Sequence, residues 1–473
     1  MPIKVQQPDG RYSCRWLLPD LATEEVFRPH GEIILEGSKA PLGKASGKVP
    51  GKLQGGFPEN YNYEYLNGQL SNGAGVLMIT PRLEVWGQPG WGINFPDGNA
   101  KIYGAAALVG HGAEHLESAD ISEIRVQVSR LDRIIKSTPI ESRDIPVASE
   151  SNQATWSVTT RSSDQYWDDG ATRIHITYMQ SATVFTGYEF GIRFTPILKI
   201  KSSAPVPFLE AYDRWVRSLY RVMSVITGKN EDVTYLEVKP AGADNRSPYL
   251  QVFARPITQS PYMPERGRLR RGSDSALWLD EDGVSLLDLV KRWHELECEQ
   301  NPIVYTYDPF ALGADQHPRA RFLLLIQALE GISSREARLN GRVVAFEKKR
   351  ARVLSECMKH LTGMNRRFVK GNLKKSPINL DDRLTDMFGS LPINPIENIG
   401  KTELIDRVSR EHGLKAEGAL RLIRNDLAHG NRTYDVYELA EVSAILEAVV
   451  RAHALRILGM SDAVQERVLA FDD

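Results

Sequence analysis

Residues 422–430 read LIRNDLAHG, and Arg424, Asn425 and His429 within them carry the side chains that metal-free RNA cleavage needs. That reaction must move a proton near neutral pH, so that a ribose 2′-hydroxyl can attack the adjacent phosphorus. It must also hold a fixed positive charge against the pentacovalent phosphorane. Imidazole suits the first task and guanidinium the second. On a helix, Asn425 and His429 stand at i and i+4 and face the same way. Arg424 is rotated off that line, but its long planar fork can reach back to a shared phosphate. Gly430-Asn431 then reads as a helix stop, which places His429 at a C-terminus. There the macrodipole favours a cation, so a protonated His429 could act as general acid to the leaving 5′-oxygen.

The spacing Arg-x4-His occurs a second time, as Arg407 to His412 in RVSREH, so spacing alone carries little. That copy has Val408 after its arginine and lies on another helix; it is read as a chance match with both residues at the surface. The copy at 424–429 has a polar Asn after the Arg, a small Ala before the His, a Gly after it, and one more long helix behind it. The plain structural reading of the same residues is a helix end in which Arg424 pairs with a buried acid such as Glu330 and His429 only caps.

The elements that must position these residues form a helical C-terminal region. From about residue 318 the chain reads as wholly helical: RARFLLLIQALEGI is one helix, and 342–362 a second with Phe346, Leu354, Cys357 and Leu361 inward. A polar connector spans 371–400, TELIDRVSREHG is a third helix and EGALRLIRNDLAH a fourth. Asp435, spaced to Glu438 like a capping box, opens the last, which runs through Leu439, Val442, Leu446, Val449, His453 and Ile457. Four or five such helices make a bundle.

The first 200 residues read differently. Ile124, Val126 and Val128 alternate with polar residues, as do Ile174, Ile176 and Tyr178, and Tyr188, Phe190, Ile192 and Phe194. Period two predicts a half-buried antiparallel β region, with Gly-rich stretches such as GSKAPLGKASGKVPGKLQGG as loops. Phe208, Tyr212, Trp215, Leu219, Met223 and Ile226 then predict a helix ended by Gly228, followed by short strands (TYLEV, YLQVFAR) and the basic loop ERGRLRRGS. Leu287, Val290, Trp293 and Leu296 mark a helix over about 284–300, and PIVYTYDPFALGADQHP reads as a linker. The expected fold class is α+β multidomain: an N-terminal antiparallel β-rich domain with a few helices, residues 1–305, and a C-terminal all-α bundle, residues 318–473.

Composition sets limits on what the protein does. A chain of 473 residues with 42% apolar and 25% charged residues is a folded multidomain protein rather than a disordered one. Its net charge of −1 announces no nucleic acid overall, but from residue 311 onward there are 26 Lys+Arg against 22 Asp+Glu. The basic residues concentrate between Arg335 and Lys375, with 13 Lys+Arg against 3 acids. A solvated helix face is the default for such a run. Its place in the helical region favours a surface that tracks phosphates, with Lys348, Lys349, Arg350, Arg352, Arg366, Arg367 and Lys370 as the candidate RNA-binding residues. Phe346 and Phe368 are the aromatics there, and with Phe346 inward no base stacking is evident.

Other chemistries find little support. Cys14, Cys298 and Cys357 are far apart and odd in number, which suggests neither a disulfide framework nor a zinc site, and a cytoplasmic location is expected. The chain lacks a run of about 18 apolar residues, and MPIKVQQPDG lacks the apolar core of a signal peptide. GKASGKV lacks the spacing and hydroxyl of a P-loop, and HELEC has Cys298 where a zincin helix needs its second His. His111, His115 and His175 stand without metal-ligand spacing. No cofactor or metal is expected. A carbohydrate-binding or hydrolytic β protein, suggested by the Trp and Tyr of the β region, ranks last for want of a carboxylate pair.

A family resemblance joins these pieces. LIRNDLAHG, followed by YDVYELAEVSAILEAVVRAHALRILG and preceded by RFLLLIQALEGI, resembles the HEPN superfamily and within it the ApeA-like HEPN domain. VFRPHGEIILEGSKAPLGKA, DISEIRVQVSRLDRII and FLEAYDRWVRSLYRVMSVITG are similar to the ApeA N-terminal domain. The resemblance implies a metal-independent endoribonuclease of bacterial anti-phage defence acting by abortive infection, with RNA as substrate and transfer RNA as the expected target. It implies a homo-oligomer, at least a dimer through the HEPN helices, in which two copies of Arg424, Asn425 and His429 share a cleft; Glu330, the acid named above as a partner for Arg424, is taken as the supporting residue of that site. It also implies a sensor or regulatory role for the N-terminal domain, with a phage-derived trigger as its partner. The alternative is a catalytically silent HEPN module that dimerises and binds nucleic acid.

Overall fold

The computed structural model describes every residue except 1–2, 4, 22–24, 51–58, 88–97, 136, 145–156, 187–188, 245, 265–274, 308–315, 336, 374–377 and 471–473. Two compact units emerge. The first takes in Met1–Met223, Glu231–Leu269 and Trp278–Lys291, and the second Ser224–Asn230, Arg270–Leu277 and Arg292–Asp473.

The first unit is built on one sheet of sixteen strands, in which the described strand pairs are antiparallel. Alternation holds where the sequence shows it. Asp120–Val128 buries Ile124, Val126 and Val128 while pairing with Glu189–Pro207 on one side and Val233–Pro240 on the other. Thr172–Thr186 buries Ile174 and Ile176. Tyr188 and the side chain of Phe190 lie outside the described residues. The centre of the sheet departs from the half-buried expectation: Gly75–Ile79, Val233–Pro240 and Leu250–Ala254 are buried along their whole length. Continuous apolar runs such as GVLMI are what burial on both faces requires.

Part of the Gly-rich stretch assigned to loops is a strand. Leu42–Gly47 pairs with both His30–Leu35 and Gly98–Tyr103. Its glycine makes room for an aromatic ring: a Cβ on Gly43 would lie 2.6 Å from the ring of Trp16, whose indole N–H donates to the Lys44 carbonyl at 2.9 Å. Glycine inside a strand marks this kind of close approach. Residues 51–56 of the same stretch, and the whole loop ERGRLRRGS, lie outside the described residues. The helix expected after Pro207 forms in three parts, α1 (Phe208–Ala211), a π-helical turn over Tyr212–Arg217 and α2 (Ser218–Thr227), ended by Gly228 at φ 69°. Its six periodic residues are all buried.

Helix α3 (Leu286–Cys298) buries Leu287, Val290, Trp293 and Leu296 as its period predicts. Where the sequence reads as a linker, α4 (Pro302–Thr306) forms. Asn301 caps it by accepting from the Ile303 amide at 3.1 Å, and Pro302 occupies the first turn, where no N–H is needed. Ile303, Val304 and Tyr307 are buried, with the Tyr307 ring edge-on to Trp293 at 6.0 Å.

The rest of the second unit is helical: α5 (Pro318–Arg335), α6 (Ala337–His360), α7 (Gly363–Asn372), α8 (Leu380–Gly389), α9 (Ile396–Lys401), α10 (Glu403–His412), α11 (Ala416–His429), α12 (Val436–Ile457) and α13 (Asp462–Leu469). The polar connector of the sequence reading therefore holds two helices. In α8, Leu384, Met387 and Phe388 supply a short apolar face, and a capping box between Asn379 and Asp382 starts the helix. Helix α5 packs against α8, α11 and α12, and its Phe322, Leu325, Ile326 and Leu329 share a core with Leu420, Ile423 and Leu427 of α11 and Leu439, Val442, Leu446 and Val449 of α12. His453 continues the buried stripe of α12, and neither ring nitrogen has a hydrogen-bond partner among the described residues. Burial, and secondarily the positive charge of Arg456, pushes its pKa down to about 3.

Helix α6 differs from expectation. Phe346, Leu354, Cys357 and Leu361 are only half-buried, and none of residues 341–373 is buried. It packs on α5 and α7.

Candidate active site

Helix α11 has two faces of opposite character. Leu420, Ile423 and Leu427 recur at spacings of three and four and fill the core, which leaves Arg421, Asn425 and His429 on the other side and Arg424, half-buried, at the border. Gly430, at φ 71°, stops the helix: its own amide and that of Asn431 both donate to the Asp426 carbonyl, so His429 is the last helical residue and is exposed.

Arg424 is held from two sides. One guanidinium nitrogen donates to Asn425 Oδ1 at 3.2 Å, and another to Glu330 Oε2 of α5 at 3.1 Å. Both partners of the ion pair keep about 30% of their side-chain surface in solvent (28% and 30%), so the acid is half-buried rather than buried. The pair fits two roles, orienting the guanidinium for a ligand or bracing α11 on α5. One turn earlier, Arg421 is engaged by Asp381 of α8 at 2.6 Å.

Two features around the helix end have no sequence signal. Arg319, in the first turn of α5, donates to the Leu427 carbonyl and so brings a second guanidinium to the last turn of α11. Tyr434 donates to Asp426 Oδ2 at 2.6 Å, which fixes the chain as it leaves Gly430, and Arg432 lies over the Tyr434 ring while pairing with Glu411.

The second Arg-x4-His pair is built differently. Both terminal nitrogens of Arg407 donate to Glu438 of α12, each at 2.6 Å, so this guanidinium is a half-buried fork between helices rather than a surface charge. Only half of the expected capping box forms as a result: Asp435 accepts from the amides of Tyr437 and Glu438, while the Glu438 carboxylate is turned to Arg407. His412 is exposed.

Of the candidate RNA-binding residues, Lys348, Lys349, Arg352, Arg366, Arg367 and Lys370 are exposed. Arg350 is half-buried and paired with Glu347 at 2.9 Å. Lys374 and Lys375 lie outside the described residues. Phe368 is 67% exposed and Met364 85% exposed, so an aromatic does stand among the basic residues. His294 lies 3.7 Å from Cys298 Sγ, one turn away. Among the described residues no cluster of three or more His, Cys, Asp or Glu could hold a metal ion, and no helix is long and apolar enough to cross a membrane.

Comparison with known families matches two family models to the chain, ApeA N-terminal domain 1 over residues 30–293 and Apea-like HEPN over residues 323–464. No curated protein and no solved structure matches. The second match contains α11 and the part of α5 that carries Glu330, and the first spans more than half of the chain. This chain belongs to the ApeA-like proteins, a family of anti-phage defence that carries a HEPN nuclease-type domain.

Proposed function

We propose that the protein is a metal-independent endoribonuclease, with transfer RNA as its expected target. The observation that carries this reading is the end of α11, where a guanidinium fixed by Glu330 and Asn425 stands one turn before an exposed terminal imidazole. In the reaction the 2′-oxygen loses its proton to a base and bonds to phosphorus, the bond from phosphorus to the 5′-oxygen breaks, and that oxygen takes a proton from an acid. The products carry a 2′,3′-cyclic phosphate and a 5′-hydroxyl. Arg424 balances the charge on the phosphorane and His429 moves a proton. One helix offers one imidazole, so a symmetric dimer that brings a second His429 and Arg424 across a two-fold axis supplies acid and base together. On this reading the enzyme works in the cytoplasm, and the N-terminal domain senses a phage-derived trigger.

The second reading is a silent module that dimerises and binds nucleic acid, favoured by the fit of the Arg424–Glu330 pair to a brace between helices. Incubation of the purified protein with total RNA in excess EDTA separates the two. The nuclease leaves cyclic-phosphate ends under these conditions, and a silent module leaves the RNA whole.

A further inference from the structure

Helix α7 is unusual within its unit. Among its described residues none is buried, and Gly363–Asn372 contains no acid. At helical spacing Met364, Arg367, Phe368 and Gly371 share one face, opposite the half-buried Val369 and Leu373. Phe368 is 67% exposed, and Gly371, one turn on, has open space where a Cβ would be, so no side chain from that position covers the ring. Asn372 holds the last turn by donating to the Phe368 carbonyl at 2.9 Å. Arg366, Arg367 and Lys370 are all exposed; Arg367 shares the face of the ring, and Arg366 and Lys370 lie farther round the helix.

We infer that α7 is a stacking platform for an unpaired nucleotide: Phe368, with Met364 beside it, takes the face of a base, Arg367 on the same face takes the adjoining phosphate, and Arg366 and Lys370 take phosphates of the strand as it passes round the helix. The inference rests on the ribonuclease reading and narrows its substrate to RNA with single-stranded nucleotides. An aromatic face set among cations is the arrangement that binds single strands with little sequence preference, because every base has a π-face and every linkage a charge. A duplex keeps its bases stacked inside and offers this ring nothing. A second copy of the chain is a poor occupant. Isologous pairing of two α7 helices through this face would bring Arg367 of both chains together, with no acid on the helix to offset them.

The test uses the full-length protein and fluorescence anisotropy with a labelled single-stranded oligoribonucleotide of about 12 nucleotides, 2′-O-methylated so that it cannot be cleaved, alongside the duplex of the same sequence. Phe368→Ala should bind the single strand about 5- to 100-fold more weakly, as expected for the loss of one stacked base. Duplex binding should stay within about two-fold, the salt dependence should be unchanged because no phosphate contact is lost, and Phe368→Trp should restore affinity. Replacing Arg366, Arg367 and Lys370 together should instead flatten the salt dependence on both probes. Equal binding of the single strand by wild type and Phe368→Ala overturns the platform while leaving the nuclease reading standing. So does a Phe368→Ala protein whose defect lies in self-association or in binding anionic vesicles. Wild-type protein that neither binds nor cleaves RNA removes both.

Discussion

Replacing His453 by leucine tests how the second unit is held together, and the buried imidazole sets the size of the effect. His453 is wholly buried on α12, and both of its nitrogens lack partners among the described residues. Burial, then the charge of Arg456, lowers its pKa from 6.5 to about 3. The unfolded chain therefore binds a proton between those values that the folded chain refuses. The sign follows: this residue leaves stability untouched above the unfolded pKa and removes it as pH falls from there towards the folded value. The slope is about 1.4 kcal/mol per pH unit, so the wild type should lose about 2 kcal/mol from this group between about pH 7.5 and pH 5. His453→Leu removes that component, and because leucine leaves no imidazole nitrogen unsatisfied, a term of about 1–3 kcal/mol, it should be at least as stable as wild type at neutral pH. Urea denaturation followed by the far-ultraviolet helical signal, at both pH values and in both proteins, measures the difference. A gap between the two proteins that stays constant from neutral to acid pH would refute the reasoning, since it would mean that the imidazole is solvated or protonated in the fold.

Three further outcomes follow from the same structure. Glu330→Ala should lower the cleavage rate about 10- to 100-fold with little change in RNA affinity, because Arg424 loses its anchor; a brace would instead show as a lower melting temperature with cleavage per folded molecule intact. His412→Ala should cleave RNA as wild type does, while Arg407→Ala, which abandons Glu438, should cost about 1 kcal/mol in a denaturation experiment without changing the cleavage pattern. Gly43→Ala should destabilise the β unit by about 1–3 kcal/mol, read by denaturation, because the added methyl would meet the Trp16 ring at 2.6 Å.

Local chemistry was the legible part of this fold. The stop at Gly430, the apolar spacing of Leu420, Ile423 and Leu427, and the alternation about Val126 each depend on neighbours along the chain, and each has the structure that its pattern implies. What escaped was decided over long range. Leu42–Gly47 looks like a loop by composition and is a strand because His30–Leu35 and Gly98–Tyr103, remote in sequence, pair with it on both sides, with Gly43 making room for the Trp16 ring. Helices α4 and α8 lie in segments whose Pro and polar residues suggest connectors, although Ile303 and Val304, and Leu384, Met387 and Phe388, are buried. At the site, the residue types of Arg424, Asn425 and His429 could be read directly, and Glu330 could be named as an acid within reach. Arg319 could not, because its partner is a backbone carbonyl, which has no sequence signature. The exposed Phe368 was hidden for another reason: a short amphipathic helix does not declare whether anything covers its apolar face.

The central claim is that His429 moves the proton and Arg424 stabilises the phosphorane. Its most direct test is cleavage of total RNA by wild type, His429→Ala and Arg424→Ala in excess EDTA, with the product ends identified and folding checked by circular dichroism. The account predicts 2′,3′-cyclic phosphate ends from the wild type and folded variants slower by about 10²- to 10⁴-fold, the usual loss for an acid or base. Cleavage by His429→Ala at the wild-type rate, or wild-type activity that disappears with EDTA, would contradict it.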